Sequence, residues 1–131
     1  MNLDEFGFKE VGEWKRYNKI KSGIDFHISG FEHKRVIYAF VIGDEVKYVG
    51  ICEKDTTSLS RRLKRYKNSE GKGNRRIAGN IRRSLEEDNL VEIFALKPEL
   101  VYKYRGLEVD LVKGLENPLI KYFQPEWNIR R

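Results

Sequence analysis

The stretch VIYAFVIGDEVKYVGI, residues 36–51, decides the expected fold. Its first seven residues are all apolar and mostly β-branched or aromatic, which is typical of a strand buried on both faces. Gly43-Asp44-Glu45 then favours a turn, and residues 46–51 return as a second strand. The stretch therefore predicts a β-hairpin.

Two amphipathic helices are predicted after this hairpin. Leu59, Leu63 and Tyr66 recur at i, i+4 and i+7, and residues 55–58 offer several N-cap side chains before them. The second helix is expected from about residue 74 to residue 87. Its apolar stripe is Ile77, Ile81 and Leu85, with Arg75, Arg76, Arg82 and Arg83 on nearly the opposite side.

The rest of the chain predicts one more strand and one long helix. Residues 91–96 form the strand, and residues 106–123 read as a helix with an apolar residue at every fourth position. Pro118 lies inside that helix, so a kink or a new helix start is expected near Asn117. The expected fold is α+β, with a small central antiparallel sheet of about three core strands flanked by helices.

Residues 1–35 contain short apolar-alternating pieces broken by glycines, which predict one to three short strands. We expect a single domain over residues 1–131, with a core at 36–128 and residues 1–35 as an extension. This extension is a candidate for oligomer contacts or additional DNA contacts.

Composition limits the classes of protein that fit. The longest apolar run has seven residues, too few to cross a bilayer, and the N-terminus lacks a signal-peptide pattern. One cysteine, Cys52, excludes an internal disulfide and a cysteine-based zinc site. A cytoplasmic protein with no membrane partner is expected.

Positive charge is concentrated in residues 61–83. This window holds ten Lys or Arg and one acid, Glu70, so it carries +9 in a chain whose net charge is +6. Such a surface indicates a polyanionic partner. The alternative is an ordinary solvated helix face. The candidate DNA contacts are Arg61, Lys64, Arg65, Arg75, Arg76, Arg82 and Arg83.

Six residues with polar side-chain groups are candidate site residues, and they occur along the chain in the order Tyr38, Tyr48, Arg62, Tyr66, Glu116 and Asn128. Together with the closing stretch LENPLIKYFQPEWN, residues 115–128, this order resembles the GIY-YIG nuclease family. Val36 replaces the first glycine of the family pattern and Val49 its usual isoleucine. Arg62 is preferred over Arg61 because Tyr66 lies four residues on. Arg75 or Arg76 could match a further basic residue of small stand-alone members.

The resemblance implies a metal-dependent endonuclease acting on double-stranded DNA, with these six residues in the catalytic site. Glu116 would hold one Mg²⁺ or Mn²⁺, because its carboxylate is a hard oxygen ligand. Arg62 would contact phosphate oxygens. Tyr38, supported by Tyr48, would serve as general base, and Asn128 would orient Glu116 or nearby backbone.

The resemblance also implies a biological role in phage-type or restriction-like degradation of DNA. A single active site cuts one strand, so cutting both implies a homodimer, a homotetramer or successive nicks. The alternatives are a repair incision nuclease and a non-catalytic nucleic-acid-binding module. A rival nuclease pattern, Asp25 with Glu45-Val46-Lys47, would place its metal ligand in an exposed turn.

A shared site requires the side chains of Tyr38 and Tyr48 to lie on one face of the sheet. A regular two-residue turn at Gly43-Asp44 would put them on opposite faces. We therefore expect either a three- or five-residue loop or a β-bulge that restores the face.

Overall fold

The structure is a computed structural model that describes residues 1–98 and 101–129. Within these residues, five strands form one antiparallel sheet in the order β2-β1-β5-β3-β4. The strands are β1 (Lys9–Arg16), β2 (Ile24–Ile28), β3 (Val36–Ile42), β4 (Glu45–Cys52) and β5 (Val91–Leu96). A short 3-10 helix at Asp4–Phe6 precedes them.

The sheet is larger than the sequence predicts. The three predicted core strands are present as β3, β4 and β5, but the expected number of about three is not exact, because β1 and β2 extend the sheet on the far side of β5. The short strands expected within residues 1–35 are therefore β1 and β2 of the main sheet, and Trp14 of β1, only 1% exposed, lies in the core against Phe40 and Tyr66.

Helices cover both faces of the sheet. On one face, α1 (Leu59–Lys67) and α2 (Lys72–Glu86) pack against the core that contains Tyr38 and Phe40. On the other face, α3 (Leu111–Phe123) packs against Ile37, Ala39 and Val49. The described residues contain no helix with the length and apolar character needed to span a membrane.

The hairpin and first helix confirm their sequence predictions. β3 and β4 are joined by a two-residue turn at Gly43-Asp44, with Gly43 at φ +60°. Ser58 caps α1 by accepting a hydrogen bond from the Arg61 backbone N–H at 3.3 Å.

The segment before α3 differs from the prediction. A second hairpin occupies part of the expected helix, with strands β6 (Tyr102–Tyr104) and β7 (Leu107–Val109). Its turn residues Arg105 and Gly106 both have positive φ, as a type I′ turn requires. The helix instead starts after Asp110, whose carboxylate accepts hydrogen bonds from the backbone N–H groups of residues 112 and 113. It continues through Pro118 and does not restart at Asn117.

Candidate active site

A β-bulge brings Tyr38 and Tyr48 to the same face of the sheet. Phe40 pairs with Tyr48, whereas the next residue pairs with Val46, so Lys47 is the extra residue of β4. The expected bulge is therefore confirmed. The backbone carbonyl of Lys47 accepts a hydrogen bond from the Trp127 backbone N–H at 2.9 Å, so the carbonyl of the bulged residue has a partner outside the sheet.

Three tyrosine hydroxyls meet beneath α1. The hydroxyls of Tyr38 and Tyr66 lie 2.5 Å apart, and the Tyr66 hydroxyl donates to that of Tyr48 at 3.4 Å. Tyr38 and Tyr66 are fully buried, whereas Tyr48 is half-buried. The hydroxyls thus form a hydrogen-bonded chain that runs from Tyr38 in the core through Tyr66 to Tyr48, which has access to solvent.

Gly50 makes room for the innermost tyrosine. It pairs with Tyr38 across the two strands, and a Cβ at this position would lie 2.6 Å from both Cζ and the hydroxyl oxygen of Tyr38. The Tyr38 ring therefore lies against the backbone of β4, which only glycine permits.

Arg62 lies beside this tyrosine cluster. Its guanidinium carbon is 4.6 Å from the centre of the Tyr66 ring, and its Nη1 donates to the side-chain oxygen of Asn74 at 3.3 Å. The guanidinium is partly buried, whereas Arg61 is exposed. Arg62, and not Arg61, therefore lies at the tyrosine cluster. No sequence signal singled out Asn74.

Burial raises the pKa of both inner tyrosines. Removal from water is the main cause of the raised pKa of both residues. Tyr48 adds to the rise at Tyr38, and both Tyr38 and Tyr48 add to it at Tyr66. The charge of Arg62 acts in the opposite direction on each of them. Both hydroxyls are therefore protonated at neutral pH and act as hydrogen-bond donors and acceptors.

Glu116 lies on α3, on the opposite face of the sheet from Arg62. It is half-buried, and its pKa is raised by desolvation and then by the negative charge of Glu53. Glu53, just beyond the end of β4, pairs instead with Lys113 at 3.6 Å. Among the described residues no cation pairs with Glu116, so its carboxylate is available to a positive ligand.

Asn128 binds the free edge of β4. Its side-chain oxygen accepts from the Val49 N–H at 3.0 Å, and its side-chain nitrogen donates to the Val49 carbonyl at 3.0 Å. β4 is the outer strand of the sheet, so these two backbone groups have no strand partner on that side. The amide therefore holds β4 at the residue between Tyr48 and Gly50.

The predicted DNA contacts lie on the surface of the first helical layer. All seven are exposed, while the apolar stripe of α2 is buried as its periodicity predicts. Arg83 donates to Asn80 on the same helix.

The rival nuclease pattern does not form a site. Asp25 pairs with Lys67 at 3.1 Å, and Lys47 contacts both Glu45 and Glu126 at 2.9 Å. Within residues 1–98 and 101–129, no three side chains of His, Cys, Asp or Glu gather to hold a metal ion. Cys52 is buried, and burial raises its pKa to about 11, which indicates a packing role.

Two solved structures of endonucleases are similar to this fold. A glutamate-to-alanine mutant of bacteriophage T4 EndoII matches 96% of this chain and 94% of its own, with a TM-score of 0.71 and 24% identity. The two proteins share a fold. The resemblance to small phage endonucleases is thus confirmed at the level of the fold.

A second solved structure shares the architecture more loosely. The restriction endonuclease HPY188I in complex with product DNA matches 94% of this chain and 79% of its own, with a TM-score of 0.52 and 18% identity. No protein-family model and no curated protein matches the sequence.

Proposed function

We propose that this chain is a metal-dependent endonuclease that hydrolyses phosphodiester bonds of double-stranded DNA. The observation that carries the proposal is the convergence of Tyr38, Tyr48, Tyr66 and Arg62 at one place, with Tyr48 as the accessible hydroxyl. The shared fold with two endonucleases, one of them bound to product DNA, supports the same reading.

The site is built around the free edge of β4. Tyr48 lies on one face of this outer strand, Glu116 belongs to the helix on the other face, and Asn128 binds the edge between them. Because no strand of the described residues pairs with the outer side of β4, a phosphate at this edge can be reached from both faces. Asn128 acts here as a positioning residue for β4.

Glu116 fits a divalent cation such as Mg²⁺ or Mn²⁺. A half-buried carboxylate that pairs with no cation within residues 1–98 and 101–129, next to a second carboxylate, is a favourable place for positive charge. With one protein ligand, the ion would keep most of its waters, as Mg²⁺ commonly does. When bound, the ion would supply positive charge for the phosphate oxygens in the transition state.

Arg62 and the tyrosines have separate roles in the proposed reaction. The guanidinium, held by Asn74 and by the Tyr66 ring, presents planar donors to the scissile phosphate. If Tyr38 donates to Tyr66, and Tyr66 to Tyr48, the proton of the Tyr48 hydroxyl is directed outward. Tyr48 would therefore hydrogen-bond the attacking water or a phosphate oxygen.

This arrangement favours Tyr48 over Tyr38 as the candidate general base. Tyr38 is the less suitable base, because it is fully buried and its pKa is raised. We assign the contact with the attacking water to Tyr48, and to Tyr38 the support of the hydroxyl chain. To take the proton of that water, Tyr48 would need positive charge close by, which Arg62 and a bound cation would supply.

The biological role that suits such an enzyme is phage-type or restriction-like degradation of DNA in the cytoplasm. One site per chain cuts one strand, so a double-strand break would require a homodimer, a homotetramer or two successive nicks.

A plasmid assay tests the proposal. Supercoiled plasmid should be nicked or linearised in Mg²⁺ and left intact in EDTA, while a gel shift in EDTA still detects binding. Arg62→Ala should lose cleavage by roughly 10²–10³-fold, the range for removing one strong electrostatic stabiliser. Arg16→Ala removes the same charge at an exposed position outside the predicted DNA contacts and serves as the matched control. Binding without cleavage by the wild type would identify a non-catalytic DNA-binding module.

A further inference from the structure

A cationic pocket lies away from the tyrosine cluster, where three segments of the chain meet. It is open and has a volume of ≈ 400 Å³. The segments are the loop between β1 and β2, the loop between α1 and α2, and one face of α2. The lining residues are Lys21, Ser22, Asn68, Ser69, Arg75, Ala78, Gly79 and Arg82.

The lining of the pocket has three positive charges and no carboxylate. Lys21, Arg75 and Arg82 form no ion pair within the part of the chain that the structure describes. The nearby acid Glu70 is outside the lining and approaches Asn68, whose Nδ2 lies 3.5 Å from its Oε2. Cations gathered around one pocket repel each other, and a bound anion would relieve that repulsion.

Neighbouring groups position Arg82 and the loop that carries Lys21. Gly23 lies against the aliphatic part of Arg82, since a Cβ at Gly23 would be 3.0 Å from Cδ of the arginine. The Ser22 hydroxyl donates to the Lys67 carbonyl at 2.5 Å and thereby fixes the loop that carries Lys21 to the end of α1. Ala78 and Gly79 are small, so they leave the space between the two arginines open.

The spacing of the two arginines suits one phosphate group. Arg75 and Arg82 are seven residues apart on α2, which is two turns on the same face and about 10.5 Å along the axis. Their long side chains can both reach a group between them, and a phosphate offers several acceptor oxygens to guanidinium donors. Lys21 adds a third cation from the loop between β1 and β2.

We propose that this pocket binds a backbone phosphate of the DNA other than the one that is cleaved. The proposal rests on the proposed function, because it takes the phosphate to belong to a DNA substrate. Arg62 already faces the tyrosine cluster and Asn74 at the first turn of α2, so the scissile phosphate has its own arginine. The second phosphate would fix the direction in which the duplex lies across α2.

Two double variants of the same helix test the pocket. Arg75→Gln with Arg82→Gln removes the arginines of the pocket, and Arg76→Gln with Arg83→Gln removes two charges outside it. Binding of a short duplex is measured by fluorescence anisotropy in EDTA at several salt concentrations. The pocket pair should weaken binding at least about tenfold more than the control pair. For the pocket pair, the slope of log affinity against log salt concentration should become shallower by about 0.9, the value for one lost phosphate contact, and not by about twice that. Equal losses in the two pairs would overturn the proposal.

Lys21→Gln provides a test that leaves both helices intact. It should also weaken binding and flatten the salt slope, because Lys21 reaches the pocket from the β1–β2 loop. Unchanged affinity in this variant would reject a three-cation pocket even if α2 binds DNA. Thermal unfolding of each variant separates lost binding from lost folding.

Cleavage assays distinguish a failure of this inference from a failure of the proposed function. If the wild type cuts DNA while the two double variants bind it equally well, the pocket assignment fails and the enzyme assignment stands. If the wild type binds DNA through the pocket but does not cut it, the enzyme assignment fails and the pocket remains.

Discussion

The two helical layers of this protein differ in charge. α1 and α2 together carry ten Lys or Arg and one Glu, whereas α3 carries two Lys and Glu116. The first layer has the charge to hold a polyanion, and α3 has a carboxylate placed where a cation is favoured. The strand β4, which contains Gly50 and is bound at its free edge by Asn128, lies at the outer edge of the sheet between the two helical layers. Binding and chemistry should therefore respond to different substitutions.

The largest effect is expected on the α3 side. Glu116→Gln keeps the shape but removes the charge that would anchor the cation, so cleavage should fall by at least about 10²–10³-fold. DNA affinity should stay equal or rise slightly, because the positive window lies in the other layer. Parallel plasmid-cleavage and anisotropy measurements check this, with the exposed Glu86→Gln as the matched control. Near wild-type cleavage by Glu116→Gln in Mg²⁺ would remove Glu116 from the site.

The next effect is expected at the contact between β3 and β4. Gly50→Ala places a methyl group within 3 Å of the buried Tyr38 ring, which has no room to move away. Overpacking of this kind costs about 1–3 kcal/mol, and it should also displace the hydroxyl chain and reduce cleavage.

Gly73→Ala is the control for that substitution, since a Cβ there meets nothing within 4 Å and the residue is helical. Urea unfolding of both variants gives the comparison. If Gly50→Ala is as stable and active as Gly73→Ala, the proposed need for glycine beside Tyr38 is refuted.

A smaller effect is expected at the edge of β4. Asn128→Ala leaves the Val49 N–H and carbonyl to solvent, so stability should drop by about 1 kcal/mol, and cleavage should weaken more than DNA binding. Asn128→Asp can still accept from the N–H but turns a carboxylate oxygen toward the carbonyl. It should therefore fail to restore activity. Full activity of the aspartate variant would mean that the amide donor has no positioning role.

The smallest effect concerns the attachment of α3. Arg35 pairs with Asp110 at 2.6 Å, and this contact, followed by hydrogen bonds from backbone N–H groups, lowers the pKa of the Asp110 carboxyl. Because the pKa of this carboxyl is lower in the folded protein than in the unfolded chain, where it is near 3.9, its ionised form stabilises the folded state at pH values above about 3.9. This stabilisation is lost as the pH falls through the pKa of the folded state.

Asp110→Asn keeps the helix cap, so its stability difference from wild type should be small at pH 7 and should vanish in acid. Asp110→Ala should cost about 1 kcal/mol more through the lost cap. Thermal unfolding across this pH range provides the measurement. A constant difference at all pH values would exclude the ion pair as its source.

Local patterns predicted much of this molecule. β3, α1 and β5 follow from apolar periodicity and from the Ser58 cap, because these signals act over a few residues. The segment at 106–110 was misread because Leu107 and Leu111 match helical spacing, although Arg105-Gly106 between Tyr-x-Tyr and Leu-x-Val is a turn signal for a hairpin.

Contacts between distant segments could not be predicted. No local pattern in residues 9–16 indicates that they pair with residues 91–96. For the same reason, no local pattern indicates that Lys21 joins Arg75 and Arg82, or which backbone residue Asn128 binds. The bulge at Lys47 was expected only because a shared site for Tyr38 and Tyr48 required it.

The position of β5 has a consequence for how the chain folds. β1 with β2 and β3 with β4 are local hairpins, but they join only through β5, which follows both in sequence. During synthesis, the two hairpins therefore expose open strand edges until residues 91–96 arrive. Such late, non-local pairing slows folding and leaves unpaired edges open to association. Refolding of this protein should accordingly be limited by insertion of β5.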